Sequence, residues 1–132
     1  AAGIDESWGV VEIGPGIGVL TKELALRAGK VVAIEVDDRL PPLLEETLAD
    51  FDNVRIVMGD VLKTDLAALI RQEMSGYRVA VCANLPYYIT SPIVMKLLEE
   101  RLPIEHIITL SPKFCLPCSQ EAFFRRPRLQ VQ

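Results

Sequence analysis

The chain has 132 residues, half of them apolar, and a formal net charge of −4. That length suits one domain, and that composition can bury a core. No apolar run approaches the roughly 20 residues that cross a bilayer, and the first residues lack the basic and apolar regions of a signal peptide. A cytoplasmic protein is therefore expected. Three cysteines, Cys82, Cys115 and Cys118, do not make a secreted disulfide framework and fit a reducing compartment. The charge is uneven. Lys113, Arg125, Arg126 and Arg128 against Glu121 give residues 111–132 a balance of +3, leaving −7 on residues 1–110. An acidic body does not itself attract phosphates, so a nucleic-acid role has to rest on motifs.

Taken in order, GVVEIG (Gly9–Gly14) is a short apolar run that ends in glycines. In the following LTKELALRAG, Leu20, Leu24 and Ala28 share a helical face. This reads as strand, glycine loop, helix. KVVAIEVD (Lys30–Asp37) is a second β-branched run, followed by an amphipathic helix marked by Leu43, Leu44 and Leu48. Asn53–Asp60 predicts a third strand, Leu66–Met74 a helix and Arg78–Pro86 a fourth strand. Ser91–Glu100 predicts a helix capped by Ser91 with Pro92 at its first position. Ile104–Leu110 predicts a fifth strand, and after Leu110 no period is legible, so residues 111–132 read as an irregular tail. Apolar strands alternating with helices predict an α/β fold, a parallel sheet covered by helices on both faces.

EIGPGIG (Glu12–Gly18) stands between a strand and a helix, where an open α/β sheet binds nucleotide-like ligands. Its spacing departs from the dinucleotide fingerprint, because Gly14 and Gly16 are followed by Val19 at the third glycine position. A tight turn is the competing reading. Glu35, at the end of the second strand, can accept hydrogen bonds from both hydroxyls of a ribose; otherwise it is a solvated charge beside Asp37 and Asp38. Asp60, at the end of the third strand, can accept from the amino group of an adenine; alone it would read as a cap or turn aspartate. Three successive strand ends carrying what an adenosine needs form a constellation that no single one of them would.

The fourth strand ends in NLPYYITSP (Asn84–Pro92). The exocyclic amine of adenine is a poor nucleophile because its lone pair is delocalised into the ring. Accepting its hydrogens on the Asn84 side-chain oxygen and on a carbonyl beside Pro86 would localise that pair and aim it. Proline fixes the backbone there, and Tyr87 or Tyr88 can stack on a base that has left its helix. A turn followed by two core tyrosines is the alternative.

Together EIGPGIGVLT, AIEVD, GDVL and above all NLPYYITSPI resemble the ribosomal RNA adenine N6-dimethyltransferases of the small subunit, the KsgA-type family that includes the erythromycin-resistance methylases; the likeness covers about residues 8–110. The resemblance implies a Rossmann-like methyltransferase core with S-adenosylmethionine as cofactor and small-subunit ribosomal RNA, or its precursor particle, as partner. It puts Glu12, Gly14, Gly16 and Gly18 on the cofactor loop, Glu35 on the ribose, Val36 against the adenine ring, and Asp60 and Val61 at the adenine edge. Asn84, Leu85, Pro86 and Tyr87 match its catalytic motif, with Asn84 also beside the cofactor, and no metal is implied. Family members have an N-terminal QNFL-like segment and a C-terminal helical domain that this sequence does not show, so the chain is expected to be a core incomplete at both ends and weakly active or inactive alone.

Two other classes remain open. A nicotinamide or flavin oxidoreductase would use the glycine loop and Glu35 but not NLPYY. A non-enzymatic assembly or transcription-factor relative would keep the fold to bind RNA or protein. The CLPC pair Cys115 and Cys118 lacks a second half for a zinc site, and His106 and Trp8 read as structural.

Overall fold

The structure, a computed structural model, describes residues 3–83, 87–110 and 121–125. Its elements are β1 (Trp8–Ile13), α1 (Val19–Arg27), β2 (Lys30–Glu35), α2 (Pro41–Thr47), β3 (Val54–Met58), a 3₁₀ turn (Val61–Lys63), α3 (Leu66–Glu73), β4 (Arg78–Ala83), α4 (Tyr87–Glu99), β5 (His106–Leu110) and β6 (Glu121–Arg125). The sheet runs β3-β2-β1-β4-β5-β6. Its first five strands are parallel, and β6 is antiparallel to β5.

The apolar runs form strands because the sheet is covered on two sides. On one face Val11, Ile13, Val32, Ile34, Val79 and Val81 meet Leu66 and Ile70 of α3 and Ile93 and Leu97 of α4. On the other, Trp8, Val10, Val31, Ala80 and Cys82 meet Leu24, Ala25 and Ala28 from α1 and its C-terminal end. Alternate residues of one strand thus enter two cores, which accounts for continuous rather than alternating hydrophobicity.

Capping explains several element ends. Asp65 accepts from the Ala68 N–H at 3.0 Å and starts α3. Asn53, read from the sequence as the start of a strand, donates its side-chain amide to the carbonyls of Ala25 and Ala28 at 2.9 and 3.1 Å, closing α1. The helix α2 follows Leu40 as its N-cap, with prolines at its first two positions, Pro41 and Pro42.

Two expectations are corrected. The fourth helix begins at Tyr87, not after a Ser91 cap, so Pro92 lies inside it. A proline there leaves the helix one backbone donor short, yet its fixed φ is helical and its anchors Ile93 and Leu97 are buried, so burial outweighs the missing bond. The stretch after Leu110 is not irregular throughout. Glu121–Arg125 pairs along β5, from Leu110↔Glu121 to His106↔Arg125, an edge strand too short and too isolated to announce itself by periodicity.

Candidate nucleotide-binding cleft

Register brings the proposed site together. Ile13 pairs with Ile34 on one side and with Ala83 on the other, and Glu35 pairs with Met58. The carboxyl ends of β1, β2, β3 and β4 are therefore level. Chain order reverses between β1 and its neighbours β2 and β4, the switch point at which open α/β sheets leave a crevice.

A cleft of about 280 Å³ opens there. Gly14, Glu35, Val36, Asp60 and Val61 line it, five of the residues singled out from the sequence. Ile13, Ile34, Gly59, Leu62 and Ile93 line it too. Sequence reasoning passed over Ile13, Ile34 and Ile93 because aliphatic residues at strand ends and on a helix face carry no signal beyond core, and over Gly59 and Leu62 because they read as turn residues beside Asp60.

The backbone around Gly14 is set by close pairing. Its N–H donates to the Ile34 carbonyl at 3.0 Å, and its φ of 75° lies in the left-handed region, so the chain can leave β1 sharply. Gly16 (φ 59°) and Gly18 (φ 93°) continue that path. Neither is among the residues lining the cleft. Gly18 serves packing: a Cβ there would come within 3.1 Å of Leu44 Cδ2 and 3.3 Å of Thr47 Cγ2 on α2.

Glu35 is only 6% exposed, which removes the solvated-charge reading. One carboxylate oxygen accepts from the Asp37 N–H at 3.2 Å. Asp37 itself is turned away into a fork with Arg39, whose Nε and Nη2 donate at 2.9 and 2.7 Å. The Arg39 side-chain hydrogen bonds hold the Asp37 carboxyl down at about 2. Val36, between them, is 72% exposed and gives the cleft an apolar rim.

Asp60 caps the 3₁₀ turn, its Oδ1 accepting from the Leu62 N–H at 2.9 Å. This turn contact leaves acceptor sites on the carboxylate unused, since a carboxylate has about four. Thr64 Oγ1 donates to the Asp60 carbonyl at 2.8 Å, and the Lys63 N–H does so at 2.9 Å.

Glu12 is fully buried and does not line the cleft. Its two oxygens lie 2.6 and 2.9 Å from Oγ1 of Thr21, which is itself fully buried on α1. Burial raises its carboxyl to about 7; the Thr21 hydrogen bond opposes that rise and the charge of Glu35 adds to it. A hydroxyl has one hydrogen, so a protonated Glu12 can donate to Thr21 while accepting from it, a reciprocal pair that ties β1 to α1 across the glycine loop.

Asn84, Leu85 and Pro86 lie outside the described residues, as do Cys115, Cys118, Arg126 and Arg128. Tyr87 is the first residue of α4. Trp8 and His106 stack at 4.8 Å at the opposite, N-terminal ends of the strands, as structural residues would. Among the described residues no group of three or more His, Cys, Asp or Glu could hold a metal ion, and no helix is long and apolar enough to cross a membrane.

A sheet of five parallel strands with a carboxylate, an apolar rim and a glycine turn at its switch point defines the Rossmann-like nucleotide-binding class, here with the sheet of methyltransferases. Comparison with known proteins narrows the class. The model of the ribosomal RNA adenine dimethylase family matches residues 1–116, and the chain belongs to that family. The match extends beyond the 8–110 over which motifs are legible. Ribosomal RNA small subunit methyltransferase A of Shouchella clausii is 56% identical over 111 residues, covering 83% of this chain and 38% of the relative. Its counterpart in Geobacillus thermodenitrificans is 56% identical over 114 residues, covering 86% and 39%. The chain thus spans about two fifths of the length of these relatives. Among solved structures, the 23S rRNA methyltransferase ErmE aligns with a TM-score of 0.69 at 34% identity, over 83% of this chain and 41% of its own. A dimethyladenosine transferase from Plasmodium falciparum aligns with a TM-score of 0.68 at 30% identity, over 84% and 38%.

Proposed function

We propose that this chain forms the cofactor-binding and catalytic core of an S-adenosylmethionine-dependent adenine N6-dimethyltransferase of small-subunit ribosomal RNA, working in the cytoplasm. The observation that carries the reading is the convergence of Gly14, Glu35, Val36, Asp60 and Val61 on one cleft at level strand ends. The cleft suits an adenosine. Buried Glu35 retains acceptor capacity for ribose hydroxyls, Val36 offers a flat apolar contact to a base, and Asp60 is an acceptor for an exocyclic amine.

S-adenosylmethionine, when bound, supplies a sulfonium methyl group that is already electrophilic, so the protein has chiefly to position. In this reading Asn84 and a carbonyl beside Pro86 accept the amine hydrogens of the target adenine and localise its lone pair. Tyr87 or Tyr88 holds the flipped base by stacking. Gly16 and Gly18 shape the loop, and Glu12 positions it through Thr21 rather than by touching the ligand. Residues 1–110 carry all of these roles, and residues 111–132 carry none.

Calorimetric titration with S-adenosylhomocysteine, NADH in parallel, tests the cofactor half. Saturable binding of S-adenosylhomocysteine in preference to NADH, lost in Asp60→Ala, is expected. Preference for NADH would instead favour the oxidoreductase. For the catalytic half, Asn84→Ala should lower methyl transfer to RNA by at least about a hundredfold. Equal function of the Asn84 variant would favour a non-enzymatic relative.

A further inference from the structure

The turn that carries Asp60 is held from behind by a residue of α4. Lys96 Nζ donates to the Val61 carbonyl at 2.7 Å and to the Thr64 carbonyl at 2.9 Å, while its ion-pair partner Glu100 is farther away at 3.7 Å. The lysine side chain is 14% exposed, so the ammonium serves the turn more than the solvent. Val61 opens the turn and Thr64 closes it, so the ammonium ties its two ends together.

One of those carbonyls belongs to a particular peptide group. The C=O of Val61 and the N–H of Leu62 are the two ends of a single amide. Its oxygen accepts from Lys96, and its N–H donates to Asp60 Oδ1 at 2.9 Å. The order is therefore ammonium, peptide dipole, carboxylate, with both hydrogen bonds charge-assisted and each polarising the amide in the same sense. Lys96 does not line the ligand cleft. It lines the groove on the other side of the turn, with Leu62 shared between the two.

We infer that Lys96 is a positioning residue that orients the Asp60 carboxylate for the adenine amine, acting through the Val61–Leu62 peptide and linking α4 to the adenine-edge turn. The inference rests on the adenosine reading of the cleft and adds to it a determinant of base specificity. Lys96 also stands on α4, whose first residue, Tyr87, is the last of the proposed catalytic motif.

The test uses the 132-residue chain, with circular dichroism verifying the fold of each variant. Affinities are measured calorimetrically for S-adenosylhomocysteine and for its hypoxanthine analogue, in which a carbonyl replaces the amine. The wild type is expected to prefer adenine by about tenfold, the worth of one charge-assisted hydrogen bond, and Lys96→Met to reduce that preference to less than about threefold. A merely structural lysine would weaken both ligands alike and leave the ratio untouched, which would overturn the inference. Lys96→Gln, which keeps a shorter donor, should give an intermediate ratio and serves if the methionine variant is too unstable to titrate. Glu100→Gln, which leaves both carbonyl bonds in place, should retain the wild-type ratio. Wild-type protein that binds neither ligand would reject the adenosine reading itself. Wild-type binding without preference would reject the Asp60–adenine contact and the role of Lys96 with it.

Discussion

At Glu12, burial and hydrogen bonding pull in opposite directions, and burial wins. Its carboxyl stands at about 7 in the fold against an ordinary 4.5. Between those values the folded state holds more protons than the unfolded chain, so the stabilising contribution is complete below about pH 4.5 and is lost as pH rises through about 7. Each pH unit of that separation is worth about 1.4 kcal/mol. Glu12→Gln keeps the shape and a donor for Thr21 but cannot ionise. Urea unfolding should find the two proteins similar at pH 5 and the variant more stable by up to about 3 kcal/mol at pH 8. A parallel pH dependence in the two proteins would mean that Glu12 stays charged in the fold.

At the scale of elements, the glycine loop shows how one motif divides its labour. Gly14 turns at the cleft, whereas Gly18 combines a φ of 93° with the approach of Leu44 and Thr47. Gly18→Ala should therefore cost about 1–3 kcal/mol in chemical denaturation, from left-handed backbone strain and crowding against α2. The loop, the strand ends and their acids were legible because each strand is a dense β-branched run that stops abruptly at Gly14, Glu35 or Asp60. The start of α4 was not, since a serine followed by proline looks like a helix cap even where burial of Ile93 and Leu97 holds a helix that began earlier. Lys96 was not legible either. Its partners are backbone carbonyls 32 and 35 residues away, and a lysine on a helix face is ordinarily solvated.

For the whole molecule, the cleft borrows from three strand ends and from Ile93 on α4, so occupancy should stabilise the sheet as a unit. S-adenosylhomocysteine at a hundred times its dissociation constant adds about 2.7 kcal/mol, which for a chain of this size raises Tm by roughly 8 °C in a thermal melt. No shift, with binding seen calorimetrically, would mean that the unfolded chain binds equally well. What could be read of the global fold follows from the same economy. Parallel strands buried on two faces leave a strong apolar signature, while β6, an edge strand joined antiparallel, leaves almost none.

The single tryptophan gives this arrangement a use of its own. Trp8 is 2% exposed, stacked on His106 and covered by the Arg78 guanidinium at 4.3 Å. It opens the strand whose other end, Ile13, lines the cleft, about 16 Å away along six residues. Its fluorescence therefore reports from the far pole of the sheet, beyond contact with anything held in the cleft. A change in its emission during a ligand titration would record rearrangement carried through β1 and β4, whereas steady emission would mark the sheet as a rigid frame on which only the loops respond.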